Sequence, residues 1–221
     1  MNSHYHIISN AAGTKETGME YPQVKSMTKG YDLNAANSVW ALHEVRNNKP
    51  KFKPNLDGFV LYKKAGLTDA ISAGYIGGRG LLVSDRFKKL LQKFNLTNHI
   101  FYPATVIKDD KTHKYFRMHL VDSDFRKNVV FSKTKFSNWP KLKLKDYKDY
   151  LRFDKEEDEF GLLRAGFVTL DRKFDKTLDL FMISAFDQNL YASQNLINTI
   201  KENKITGVEI VDSLKNLTFE K

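Results

Sequence analysis

The chain has no cysteine among its 221 residues, which excludes disulfide bridges and thiolate metal sites. It also lacks any run of the roughly 18 uninterrupted apolar residues needed to cross a bilayer. The opening MNSHYHIISNAAGTKETG has neither the basic start nor the apolar run of a secretory leader, so a soluble cytoplasmic protein is expected. Arginine is scarce, with 8 against 28 lysines. Its planar fork is what reads phosphates and base edges bidentately, so a formal charge of +10 made mostly of lysine points only weakly to nucleic acid.

Catalytic and metal patterns are missing as well. There is no H-E-x-x-H and no nucleophile elbow G-x-S-x-G. His4 and His6 could share a strand face, but no third ligand stands near them at metal-binding spacing. The D-S-D run at 122–124 is too short for a calcium loop. Gly74, Gly77, Gly78 and Gly80 fit neither G-x-x-x-x-G-K-[ST] nor G-x-G-x-x-G, and Leu81, Leu82 and Val83 separate them from the next helix. They read as a turn that binds no nucleotide.

What is present is core material: 41% hydrophobic residues, including 16 Phe and 10 Tyr. HYHIIS (4–9) predicts a first strand, Phe59 to Tyr62 a second, and TLDLFMIS (177–184) a later one. HIFYPATVI (99–107) and KYFRMHLVD (114–122), joined by KDDKTH, predict a β-hairpin. Pro103 places the first arm at an edge or a bulge. Residues 34–48 fit helix and strand equally, and 123–160 read as polar and irregular.

Two helices are announced by serine caps. After Ser84, the residues Phe87, Leu90, Leu91 and Phe94 recur at i, i+3, i+4 and i+7. After Ser193, Leu196 and Ile200 repeat the pattern 109 positions later, and Leu96–Thr97 match Ile205–Thr206. A serine before an apolar period is a generic helix start, so capping twice over is preferred to a true duplication.

Two charged segments stand out. KTKFSNWPKLKLKDYK (133–148) carries Lys133, Lys135, Lys141, Lys143, Lys145 and Lys148 around Phe136, Trp139 and Tyr147, with Asp146 as its one acid. Interleaved lysines and aromatics suit phosphate attraction and base stacking, yet KLKLK also fits an edge strand with lysines turned outward. An acidic protein is the remaining partner for it. The acidic run Asp154, Glu156, Glu157, Asp158 and Glu159 reads as a solvated loop, or as an imitation of a nucleic-acid backbone.

Taken in order, KPKFK, LTDAIS, GLLVSDRFKKLLQKF, HIFYPATVI, KYFRMHLVD, DLFMIS and ITGVEIVD resemble an immunity-protein family of bacterial polymorphic toxin systems, first catalogued as a domain of unknown function. The resemblance covers about residues 49–212 and includes the closing T-G-V-E strand at Gly207. It implies a non-enzymatic antitoxin that binds a cognate toxin domain, with no cofactor, no small-molecule ligand and no membrane association. The charged segments 133–148 and 154–159 lie outside the recurring pattern and are the expected contact residues. The sequence thus predicts one α+β domain over 1–221, mainly antiparallel sheet with a few short amphipathic helices, in two halves that echo one another. A basic nucleic-acid-binding module using 133–148 is the alternative.

Overall fold

The predicted hairpin forms because its two arms are rich in β-branched and aromatic residues, and it closes over only two residues. Asp109 and Asp110 take φ of 49° and 61°, the conformation that a two-residue hairpin turn requires and that short polar aspartates tolerate. The flanks of the expected six-residue link are drawn into the strands.

The computed structural model describes residues 5–18, 21–45, 48–77, 80–121, 125–156, 163–183, 186–187, 189–212 and 217–220. Its elements begin with β1 (Tyr5–Asn10), β2 (Val24–Met27), α1 (Val39–Glu44), β3 (Phe59–Leu61), β4 (Ala70–Ile71) and the single turn α2 (Gly74–Gly77). They continue through β5 (Leu82–Ser84), α3 (Asp85–Leu91), β6 (His99–Lys108), β7 (Lys111–Leu120), β8 (Lys135–Phe136) and α4 (Tyr147–Glu156). The last are β9 (Ala165–Leu170), β10 (Leu180–Phe181), β11 (Leu190–Ser193), α5 (Gln194–Glu202), β12 (Val208–Asp212) and β13 (Leu217–Phe219). The class is α+β with mostly antiparallel sheets, as the sequence predicts.

Three sheets run β2-β3-β6-β7-β5-β4, β10-β11-β1-β12 and β13-β9-β8. Within the first, β6-β7-β5-β4 is wholly antiparallel, and so is the whole of the second. The two sets of four match in strand order: β4, β5, α3 and β6 correspond to β10, β11, α5 and β12. The N-terminal strand β1 takes the place of β7. The register agrees, since Ser84 faces Tyr115 in one unit and Ser193 faces Tyr5 in the other. The echo in the sequence is therefore more than two similar caps, because capping imposes no strand order and no register.

The units also exchange contacts. Leu96, after α3, bridges Leu180 of the second unit, and Ala70 of the first donates its amide to the Thr206 carbonyl after α5 at 3.0 Å. Between the units lies a shared core in which Phe87, Leu90 and Leu91 meet Leu196, Ile197 and Ile200 over Val83, Met118, Leu180 and Ala192. On the opposite face of the first sheet, α1 packs with Val39 and Leu42 in a second core that includes Phe59, Leu82 and Val106. That of the second is covered by residues 125–153, 163–174 and β13, with Phe131, Phe181 and Tyr191 in the core between them. Both faces of β5 and β11 are thus buried, which is why LLVS and LYAS show no polar alternation.

Several expectations change. Residues 34–48, undecided from sequence, contain α1, whose cap Ser38 accepts from the Ala41 amide at 3.1 Å. Pro103 belongs to an inner strand, yet β3 begins pairing only near Val106, so the proline occupies a locally open edge where its missing N–H costs nothing. Phe94 lies beyond α3, which ends at Leu91, and packs half-buried on the shared core. Residues 123–160 are less irregular than expected, since β8 and α4 both fall there. KLKLK is not a strand, although Leu144 is buried and Lys141, Lys143 and Lys145 are exposed.

Candidate functional site

The lysine-aromatic segment runs over the outer layer of the second unit and is held from beneath by its aromatic residues. Phe136 is buried, with its ring 5.9 Å from that of Phe186. Trp139 is half-buried and meets Phe153 of α4 edge-on at 5.5 Å. Tyr147 stacks on Tyr150 and Phe131 at 6.0 and 6.3 Å. Aspartates fix the turn into α4: Asp146 accepts from the amides of Lys148 and Asp149, and Asp149 accepts from that of Lys145. The lysines point outward. Lys135, Lys141, Lys143 and Lys145 are exposed, while Lys133 is 2.6 Å from the Glu220 carboxylate.

Of the acidic run, Asp154 and Glu156 lie in the last turns of α4, while Glu157, Asp158 and Glu159 fall outside the described residues. His4 and the D-S-D run fall outside them too; His6 has its Nε2 2.7 Å from Gln194 Oε1. Among the described residues no group of three metal-ligating side chains gathers, and no helix is long and apolar enough to cross a membrane.

The two serine caps belong to larger, matching constellations. Ser84 Oγ accepts from the Phe87 amide and donates to Asp69 Oδ1 at 2.7 Å. Ser193 Oγ accepts from the Leu196 amide and donates to Asp179 Oδ1 at 2.5 Å. Tyr115 donates to the Thr68 carbonyl at 2.6 Å, and Tyr5 to the Leu178 carbonyl at 3.0 Å, in each case the residue before the aspartate. Each serine hydroxyl thus has its proton committed to a carboxylate and an oxygen committed to a cap. Both serines hold the first turns of their helices.

The aspartates differ in detail. Asp69 also accepts from Arg86, the Thr206 amide and the Thr206 hydroxyl. Burial opposes its charge, but the hydrogen bonds from Arg86, Thr206 and Ser84 outweigh it and hold the carboxyl below the usual range. Burial, reinforced by Asp179 and Asp175, pushes the Tyr5 phenol up to about 12. Burial, reinforced by Asp69, pushes Tyr115 up as well.

Of the glycine stretch, Gly74 and Gly77 belong to the single helical turn α2, Gly78 falls outside the described residues, and Gly74 and Gly80 wall a cleft. Gly80 takes φ of 91°, and a Cβ there would stand 2.2 Å from the Met118 carbonyl oxygen, so only glycine allows the chain this close to β7. Gly207 is held in the same way, with φ of 78° and the Ala70 carbonyl oxygen 2.0 Å from where a Cβ would be. Gly74 and Gly80 border a half-open cleft of about 510 Å³ between the units, with Leu81, Leu120, Met182 and Leu190 on its wall. Sequence reasoning missed this cleft, since its wall comes from segments far apart in the chain. The aspartates were more accessible, because LTDAIS and TLDLFMIS carry them 15 and 14 residues before the two serines.

Fold and surface together describe a two-unit α+β protein with a braced cationic loop. No protein-family model and no curated protein matches the chain.

Proposed function

We propose that this protein is an immunity protein, one that binds and neutralises a cognate bacterial toxin domain in the cytoplasm and performs no chemistry of its own. The observation that supports this best is the loop over 133–148. Its aromatic residues anchor it to the core beneath, while Lys135, Lys141, Lys143 and Lys145 stand exposed on a braced backbone. A loop ordered in advance loses little entropy on docking, and lysines speed the encounter with an acidic partner. The ordered resemblance over residues 49–212 supplies the kind of partner.

The nucleic-acid alternative draws less support. Phe136 is buried, and Trp139 and Tyr147 are half-buried in internal ring contacts, which leaves little ring face on which bases could stack. Protection of a producing cell requires near-complete occupancy, so a dissociation constant of about nanomolar, near 12 kcal/mol, is expected. The test expresses, with and without the protein, any toxin-like domain that a neighbouring gene encodes. Restored growth and co-purification are expected, and loss of both would overturn the reading. Rescue unaffected by the triple change Lys141→Gln, Lys143→Gln and Lys145→Gln would leave immunity standing but move the interface elsewhere.

A further inference from the structure

We propose that the cleft between the two units binds an aliphatic cation, an ammonium or guanidinium carried on an apolar stem. This does not depend on the toxin-binding reading. The cleft wall continues the shared core: Ile8, Leu81, Leu120, Met182 and Leu190 all belong to it and supply an apolar surface for a short stem. At about 510 Å³ the cleft falls within the roughly 300–1,000 Å³ usual for ligand sites.

The polar groups around this surface favour a donor over an acceptor. Asn10 lines the cleft, and among the described residues its Oδ1 is the buried side-chain atom that lacks a hydrogen-bond partner. That oxygen is turned away from solvent, so a rotation about χ2 would be needed to present it to a ligand, and a donor there would recover the missing bond. Glu209 also lines the cleft, facing Ser9 across the β1–β12 ladder, and is in no ion pair among the described residues. No described lysine or arginine lines the cleft, and His43 is its one basic side chain. The cleft lining thus carries one carboxylate and no lysine or arginine, in a chain of net charge +10. An apolar stem ending in a cation satisfies both halves of this environment, whereas a carboxylate would meet Glu209 and an alcohol would leave it unpaired.

The chemistry could come from a free amine or from a basic side chain of a protein. The experiment titrates n-hexylammonium chloride, hexanol and sodium hexanoate separately into the full chain, followed by amide NMR shifts. Saturable binding of hexylammonium at least tenfold tighter than hexanol, with no saturation by hexanoate, is expected. Glu209→Gln, a change on an exposed strand, should erase the advantage over hexanol, and Asn10→Asp should increase it. An acetylated, amidated Gly-Arg-Gly peptide run alongside separates the sources. A peptide that binds tighter than hexylammonium assigns the site to a protein side chain, and the reverse order assigns it to a free amine. The proposal is overturned if the three small probes bind alike, if none saturates, or if Glu209→Gln leaves hexylammonium affinity unchanged.

Discussion

Replacing Asp69 by asparagine should cost more than is usual for a residue in a short bend between strands. The carboxylate collects hydrogen bonds from Ser84, Arg86 and both the amide and hydroxyl of Thr206, so it ties α3 to the segment following α5. Hydrogen bonds to a charged group contribute about 1.5–3 kcal/mol each when buried. The Arg86 share must be discounted, because its side chain is 56% exposed and water replaces the lost partner. An asparagine keeps one acceptor oxygen but turns an amide toward donors on the other side, giving an expected loss of about 2–4 kcal/mol. Asp179→Asn is the internal control. Its carboxylate serves Ser193 and the Asn95 amide, and the position matching Arg86 is Asn195, so about 1–2 kcal/mol is expected. Urea denaturation at pH 7 should show a lower midpoint with an unchanged slope. Because the folded carboxyl titrates below its unfolded value, its contribution is present above the unfolded pKa of about 3.9 and is lost as pH falls through the folded value. The gap between wild type and Asp69→Asn should therefore close in acid. A loss below about 1 kcal/mol, a loss smaller than that of Asp179→Asn, or a gap independent of pH would refute this account.

Other consequences are open to the same denaturation assay. Leu91 is fully buried between the units, so Leu91→Ala should cost about 2–5 kcal/mol, and a loss under about 0.5 kcal/mol would contradict its place in the shared core. Gly80→Ala must move the Met118 carbonyl as well as adopt a left-handed φ, so a loss of about 1–3 kcal/mol or more is expected, larger than that of Gly13→Ala, which has the left-handed φ of 63° alone, at about 1 kcal/mol, with no atom within 4 Å. Burial holds the Asp187 carboxyl above its ordinary range despite bonds from Tyr191 and Asn189. Its stabilising contribution is present below the unfolded pKa and lost as pH rises through the folded value; asparagine leaves either the Tyr191 hydroxyl or the Asn189 amide without its acceptor at any pH, so Asp187→Asn should cost less at pH 7 than in acid. Equal effects at both pH values would refute the assignment.

The sequence by itself determined the class and the local starts. Ser84 and Ser193 begin helices because a serine oxygen can take an amide that the first turn leaves free, and this needs only neighbours three residues away. The hairpin over 99–120 was equally legible, since its strand residues and its turn lie side by side in the chain. The α4 helix was not, because its apolar period is broken by charges and its burial depends on Phe131 and Phe186, far along the chain. The lysine loop was visible as composition, but only packing decided that Phe136, Trp139 and Tyr147 turn inward while the lysines turn out. Most of all, tertiary structure decided that two similar stretches are two equivalent units. Their equivalence rests on strand order, on Tyr5 standing where Tyr115 stands, and on Asp69 and Asp179 reaching the same caps. Those relations join residues more than a hundred positions apart, and a periodicity read along one dimension carries no information about which strand closes which sheet.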